Sequence, residues 1–408
     1  MTLAAEPVDP YALDRDGLGA LLADLGAPAY RARQVHAWLV RGVDAPDEMT
    51  DLPASLRAQL TERFAPIRPE LVDHRVADDG HTHKLLLKFP DGEAIETVLM
   101  LYPARHGRPG TTGEGRKASA TVCISTQAGC AMGCPFCATG QLGFRRQLTA
   151  GEVVRQVVVS DAALRSGAID ADELPPGVPD HVTNVVFMGM GEPLANLSAT
   201  LGTVRWLHDP DGFRLSARGI TVSTVGLVPG IDKLADLGLP VTLAVSLHAA
   251  TDELRDELVP INRSHPLAEL EDAVRRYRDT TNRRVTIEWC LIGDVNDDAV
   301  QADRLAGIAR RLRAHVNVIP MNPTPGVDWS EPSPAATRAF VDRVDRRGAN
   351  VTLRDTRGRD ADAACGQLLA SYTLGSGTRL PAAVGASDRV DQLRVLGQDP
   401  PATGEGTP

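Results

Sequence analysis

From residue 120 onward, short runs rich in β-branched residues alternate with longer segments of helical period, and this alternation constrains the fold more than any other feature of the chain. Strands joined by helices run parallel, because the helix carries the chain back to the starting edge before the next strand begins. The spacing predicts strands at residues 120–125, 182–188, 220–225, 241–246, 285–291, 316–319 and 350–354, and helices at 150–166, 267–278, 299–312 and 335–347. Such a chain winds into an open sheet or closes wholly or partly into a barrel, and periodicity does not separate the two. With 408 residues it exceeds the roughly 250–300 at which single cores stop growing, so a small accessory domain is expected beside the α/β one.

The remaining chain supplies that accessory part. Residues 13–75 read as short helices, and residues 30–39 set apolar positions at helical spacing against a basic face carrying Arg31 and Arg33. Residues 76–119 form a linker with a hairpin signal, two β-type runs at 84–89 and 94–100 around a Pro90, Asp91, Gly92 turn. It ends in a Gly-, Pro-, Thr- and Arg-rich loop at 103–117. The α/β domain is expected over residues 120–374, between an N-terminal tail at 1–12 and a disordered tail at 375–408 rich in Gly, Pro, Ala and Thr.

A formal net charge of −10 argues against a protein that coats nucleic acid indiscriminately, although it leaves room for a local basic face. No basic stretch followed by an apolar run opens the sequence, and no uncharged apolar run approaches the roughly 18 residues of a membrane span. A cytoplasmic protein with no membrane partner is expected. Four of the six cysteines fall between Cys123 and Cys137, and in a reducing compartment that clustering points to metal or catalysis rather than to a disulfide framework.

Cys130, Cys134 and Cys137 stand at a C-x3-C-x2-C spacing in a glycine-punctuated loop after the first strand. Structural zinc sites close with four ligands, and ordinary [4Fe–4S] electron carriers use four cysteines. A triad leaves one metal position open for substrate. A zinc knuckle completed by Cys123 or a distant histidine is the competing reading. Other chemically distinctive residues follow the predicted strands, where parallel barrels place their reactive groups. Gly191 and Glu192 follow the second strand, Ser223 lies in the third, Ser246, Leu247 and His248 end the fourth, and Asn322 follows the sixth. Each has an ordinary reading as a turn, a strand-end hydrogen bond or a core histidine. Their common location on one rim points to a ligand shell. Cys365 lies among small residues near Arg357 and Arg359, conditions that favour thiolate. Cys123, Cys365 and Cys290 each also read as buried small hydrophobes, and Cys290 keeps that reading.

The triad, with Phe136 before its last cysteine, resembles the signature of the radical S-adenosylmethionine (SAM) superfamily. That resemblance implies a partial (β/α)6-type barrel and a [4Fe–4S] cluster on Cys130, Cys134 and Cys137 whose open iron chelates SAM. It also implies that Gly191, Glu192, Ser223, Ser246, Leu247, His248 and Asn322 bind SAM, Glu192 receiving its amino group. Ordered motifs from Ala27 to Val35 and Asp47 to Pro53, through Ile95 to Leu99, Gly140 to Phe144, Ser246 to Ala249 and Val259 to Asn262, to Ala363 to Leu368, are similar to the RlmN/Cfr family of RNA adenine methyltransferases. Membership implies methylation of adenine C2, an electron-poor carbon without a usable lone pair. Two SAM molecules would be consumed per turnover. Cys365 would carry the methyl group, Glu96 would take the C2 proton, and Cys123 would resolve the protein–RNA adduct through a disulfide.

The expected substrates are 23S rRNA at the peptidyl transferase centre and tRNA at the adenine 3′ of the anticodon. Flavodoxin or ferredoxin is the expected kind of electron donor, and a monomer is expected. Arg31, Arg33, Arg145 and Arg146 are candidate phosphate contacts. Two alternatives stand beside this reading: a C8-specific enzyme of the same family conferring antibiotic resistance, and a non-catalytic zinc-containing RNA-binding protein.

Overall fold

The N-terminal segment folds as helices because its apolar residues recur at helical spacing and its ends are marked: Asp14 caps α1 (Arg15–Asp24) by accepting the Gly17 N–H. Next come α2 (Arg31–Val40) and α3 (Ala54–Arg63), which bury Val35, Leu39, Leu56 and Leu60. The computed structural model describes residues 6–104, 117–166, 174–322, 327–354, 358 and 367–368. Cys365, most of the 103–117 loop and the 375–408 tail lie outside the described residues.

The chain continues through β1 (Glu70–Ala77), β2 (Thr82–Lys88), β3 (Ala94–Tyr102) and β4 (Ser119–Cys123), then β5 (Gln127–Gly129), α4 (Ala138–Leu142), β6 (Phe144–Gln147) and α5 (Ala150–Ser166). The alternating region follows as β7 (Asn184–Phe187), α6 (Leu197–His208), β8 (Ile220–Thr224), α7 (Val228–Asp236), β9 (Thr242–Ser246), α8 (Asp252–Leu258), α9 (Leu267–Thr281), β10 (Thr286–Leu291), α10 (Ala299–Leu312), β11 (His315–Pro320), α11 (Pro334–Arg346) and β12 (Asn350–Leu353). No helix among the described residues is long and apolar enough to cross a membrane.

Two compact units divide the chain. The first comprises Met1–Thr126, Gln147–Gly189 and Asn196–Ile220; the second comprises Gln127–Arg146, Met190–Ala195 and Thr221–Pro408. In the first, β1 to β4 form an antiparallel meander and β7 joins β4 in parallel. The expected hairpin is therefore the centre of a larger antiparallel piece. A bulge interrupts the β1 and β2 register between Leu71 and Asp73. Around α5 lies a buried polar cluster: the Arg155 guanidinium stacks 4.2 Å from the Tyr11 ring centroid and pairs with Asp44, which also takes Arg68 at 2.6 Å.

In the second unit, β8 to β12 pair in parallel, strand by strand in chain order, with helices on the crossovers. Alternate side chains along these strands face opposite ways. Trp289 of β10 is buried with its ring stacked 5.8 Å from Phe340 of α11. Its neighbour Glu288 takes the other face, level with Ser246 on β9 and Asn317 on β11. Arg343 and Arg347 clasp Asp303, joining α11 to α10 on the exposed side.

Candidate active site

The cysteine loop sits between β5 and β6, which form a two-stranded sheet within the second unit. Its closure depends on glycine. A Cβ on Gly129, whose φ is +77°, would stand 1.9 Å from the Gly143 carbonyl oxygen, and one on Gly140 would stand 2.9 Å from the Cys134 carbonyl oxygen. The Cys130 N–H donates to Gly143 O at 3.0 Å, and the Cys137 N–H to Cys134 O at 3.1 Å. Cys134 is buried, and Cys130 and Cys137 are half-buried.

Burial pushes the Cys130 thiol well above its usual pKa, and Cys134, Cys137 and Glu192 add to that push. The Cys137 thiol is raised by burial as well, against N–H and hydroxyl groups of Gly140 and Thr139. Two thiols and a carboxylate that resist negative charge, with Cys134 buried beside them, suit a cationic centre that displaces their protons. Among the described residues no three His, Cys, Asp or Glu side chains close around a single ion. A cluster asks for a different arrangement, because each thiolate binds its own iron, and a glycine-cradled triad fits that demand.

Every residue expected to bind SAM lies in the second unit. Gly191, at φ +98°, packs so closely on Gln127 that a Cβ would stand 2.5 Å from that side chain. The Glu192 N–H donates to Gln127 Oε1 at 2.8 Å. The Glu192 carboxylate is buried and accepts the N–H groups of Leu194 at 3.0 Å and Val225 at 2.9 Å. Burial raises its pKa to about 7 against those donors and the Thr224 hydroxyl, so a cationic amine beside it would recover the lost solvation.

His248 has φ +59°, a left-handed conformation unusual for a side chain with Cβ. Its Nδ1 accepts the Cys290 N–H at 2.9 Å, which leaves the proton on Nε2, and its ring meets Phe136 of the cysteine loop edge-on at 4.8 Å. Burial, reinforced by Arg255, lowers its pKa to about 3, so the ring is neutral. Asn296 fixes this turn by donating to the carbonyls of His248 at 2.8 Å and Cys290 at 2.7 Å. Ser223 pairs with Ala244, and Ser246 with Glu288, so both serines point to one face of the parallel strands. Asn322 is buried at the end of β11.

Glu96 and Cys123 belong to the first unit. Glu96 is fully buried on β3 and pairs with Lys84 of β2 at 3.2 Å, diagonal neighbours in the ladder. Glu96 is thus not an exposed strand carboxylate. Cys123 faces Val98 across β3 and β4, which puts it on the same sheet face as Glu96. Of the candidate phosphate contacts, Arg33 and Arg145 are exposed, whereas Arg31 is engaged with Gln34 at 2.6 Å and the Asp51 carbonyl at 3.2 Å.

Sequence reasoning missed Gln127, Arg255, Glu288 and Asn296. Only Glu288 left a signal, a carboxylate inside an apolar strand. It is buried, accepts from Asn317 at 2.8 Å and Thr286 at 3.1 Å, and burial raises its pKa.

Comparison with known proteins accords with this geometry. The chain matches the family model for the radical SAM superfamily over residues 124–306 and that for the ribosomal RNA large subunit methyltransferase N-terminal domain over residues 9–65. It is 52% identical over 365 residues to the probable dual-specificity RNA methyltransferase RlmN of Parafrankia sp. (strain EAN1pec), covering 88% of this chain and 90% of that protein. The protein of the same description from Nocardioides sp. (strain ATCC BAA-499 / JS614) is 48% identical over 359 residues, 86% of this chain and 90% of that one. A crystal structure of a radical SAM methyltransferase from Sphaerobacter thermophilus superposes with a TM-score of 0.78 at 46% identity, covering 89% of this chain and all of that one.

Proposed function

This chain belongs to the RlmN family of radical SAM RNA methyltransferases, and from that premise we propose that it methylates C2 of an adenine in the peptidyl transferase centre of 23S rRNA and of the adenine 3′ of the anticodon in tRNAs. The description dual-specificity, carried by its relatives, supports two classes of RNA substrate. The enzyme is a SAM-dependent methyltransferase with a [4Fe–4S] cluster, as its superfamily requires. Cys130, Cys134 and Cys137 would hold that cluster, and Gly191, Glu192, Ser223, Ser246, Leu247, His248 and Asn322 would hold SAM. When bound, the pair supplies a 5′-deoxyadenosyl radical that abstracts hydrogen from a methyl group.

The chain's own residues do the rest. Cys365, as thiolate, attacks the methyl carbon of one SAM, S-adenosylhomocysteine leaves, and the sulfur holds the methyl group as a thioether. After hydrogen loss, that carbon bonds to C2, and the unpaired electron left on the ring would return to the cluster. Glu96 removes the C2 proton, its carboxylate held in place by Lys84. Cys123, as thiolate, attacks the Cys365 sulfur and breaks its bond to the bridging carbon; the Cys123–Cys365 disulfide forms, and the S–C electron pair takes a proton to complete the methyl group on C2. Neutral His248 donates from Nε2, and Glu192 takes the SAM amine.

One observation supports the role proposed for Cys365. Thr139, two residues after Cys137, donates its hydroxyl to the Leu368 carbonyl at 2.6 Å, and both groups belong to the second unit. Leu368 follows Cys365 by three positions in the sequence, and three residues of chain span at most roughly 11 Å. We assign the working environment to the cytoplasm, the active species to a monomer and the electron supply to a flavodoxin or ferredoxin.

The experiment is methylation of a 23S rRNA fragment by the anaerobically reconstituted enzyme, followed by nucleoside mass spectrometry. 2-Methyladenosine is the expected product, absent with Cys365→Ala. 8-Methyladenosine would transfer the chain to the C8-specific branch. Stoichiometric zinc without iron or sulfide would overturn the redox reading.

A further inference from the structure

Arg255 of α8 is fully buried, a costly place for a charge that is not met. Its hydrogen bonds go to four neutral oxygens. Nε donates to the Leu247 carbonyl at 3.1 Å, Nη1 to Asn262 Oδ1 at 2.8 Å, and Nη2 to the carbonyls of Val225 at 2.6 Å and Ser246 at 3.3 Å. The donors are engaged, but no acceptor among these carries charge. Asn262 in turn donates to Asp252 Oδ1 at 3.0 Å and Asp256 Oδ1 at 2.7 Å, so those carboxylates reach the guanidinium through an amide. The residue after Leu247, His248, meets Phe136 of the cysteine loop at 4.8 Å between ring centroids. Burial lowers the Arg255 pKa to about 10, and Cys134 leads the groups that oppose the fall, ahead of both aspartates.

The three carbonyls that Arg255 holds belong to the ends of β8 and β9. Val225 gives its N–H to Glu192, and Ser246 and Leu247 are proposed SAM contacts. One side chain thus grips both strand ends, next to the turn whose His248 packs on Phe136 of the cysteine loop.

We propose that Arg255 is a positioning residue of the cofactor site: it fixes Val225, Ser246 and Leu247 for SAM and provides the buried countercharge to the three-thiolate cluster. This rests on the assignment of Cys130, Cys134 and Cys137 as cluster ligands. A [4Fe–4S] cluster on three thiolates is anionic when oxidised and more so when reduced. A cation nearby in low-dielectric surroundings therefore favours the reduced state. The planar fork also spans carbonyls of two strands at once, which an ammonium cannot do.

The test uses full-length Arg255→Met and Arg255→Lys proteins, reconstituted anaerobically and assayed for iron, sulfide, cluster midpoint potential and SAM affinity. Arg255→Met is expected to keep its cluster, shift the midpoint to more negative potential and bind SAM at least about tenfold more weakly. Arg255→Lys is expected to stay near the wild-type midpoint yet lose SAM affinity, because charge survives and the fork does not. A folded Arg255→Met with unchanged midpoint and affinity overturns the proposal. Where Arg255→Met fails to fold, Arg255→Lys decides: weakened SAM binding supports the role, and wild-type binding overturns it. A wild-type chain that takes up no iron and sulfide removes the ligand assignment first and this inference with it.

Discussion

Single residues set the reach of this chemistry. Gly129 lets the main chain of the cysteine loop come within contact of Gly143, at a φ that side chains rarely adopt. Gly129→Ala should therefore fold its helices and strands yet retain little iron after reconstitution, measured as iron per chain beside wild type. Cys123→Ala should leave RNA covalently joined to the protein, visible as a protein–RNA band on denaturing gels, because the adduct would lose the thiol proposed to break it. The loop that gathers the three cysteines was legible from their spacing, and glycines on either side of it mark where it closes. Arg255 was not legible. It sits in an acidic helical stretch, Asp252 to Leu258, where an arginine reads as a solvated partner of its neighbours. Only tertiary packing turns it inward.

Between elements, the decisive links run from one strand end to the next. Asn296 ties the end of β9 to the end of β10, and its Oδ1 accepts the Ile292 N–H at 2.7 Å. Asn296→Ala leaves these buried groups without partners and should cost on the order of 2 kcal/mol in urea unfolding, while weakening SAM binding through His248. The strands expected at 220–225, 241–246 and 285–291 appear as β8, β9 and β10 because their β-branched runs are long and bounded by turn residues. β1 escaped notice because it lies mostly exposed and alternates weakly. β5 and β6 are too short for periodicity to speak, and glycine ends the one and precedes the other.

For the molecule as a whole, the residues proposed to act divide by unit: the cofactor contacts fall in the second, and Glu96 and Cys123 in the first. The first unit also carries a pH-sensitive group. Burial raises the Asp9 pKa to about 6 from 3.8, against the Tyr11 N–H and the Arg155 cation. A raised carboxyl pKa favours folding while the acid is protonated, so its contribution is full below pH 3.8 and is lost as pH rises through about 6. Asp9→Asn keeps a capping side chain and should be more stable than wild type at pH 7 by roughly 2–3 kcal/mol. That gap should close as pH falls toward 4, read from urea midpoints at each pH. A gap constant with pH would remove burial as the cause. Another property of this unit concerns crowding rather than catalysis. β1, the marginal strand of the meander, exposes Leu71 and Val76 but breaks its register at a bulge and intersperses Glu70, Asp73 and Arg75. A neighbouring molecule offering an extended segment would find an interrupted template studded with ions, which guards the enzyme against polymerising edge to edge.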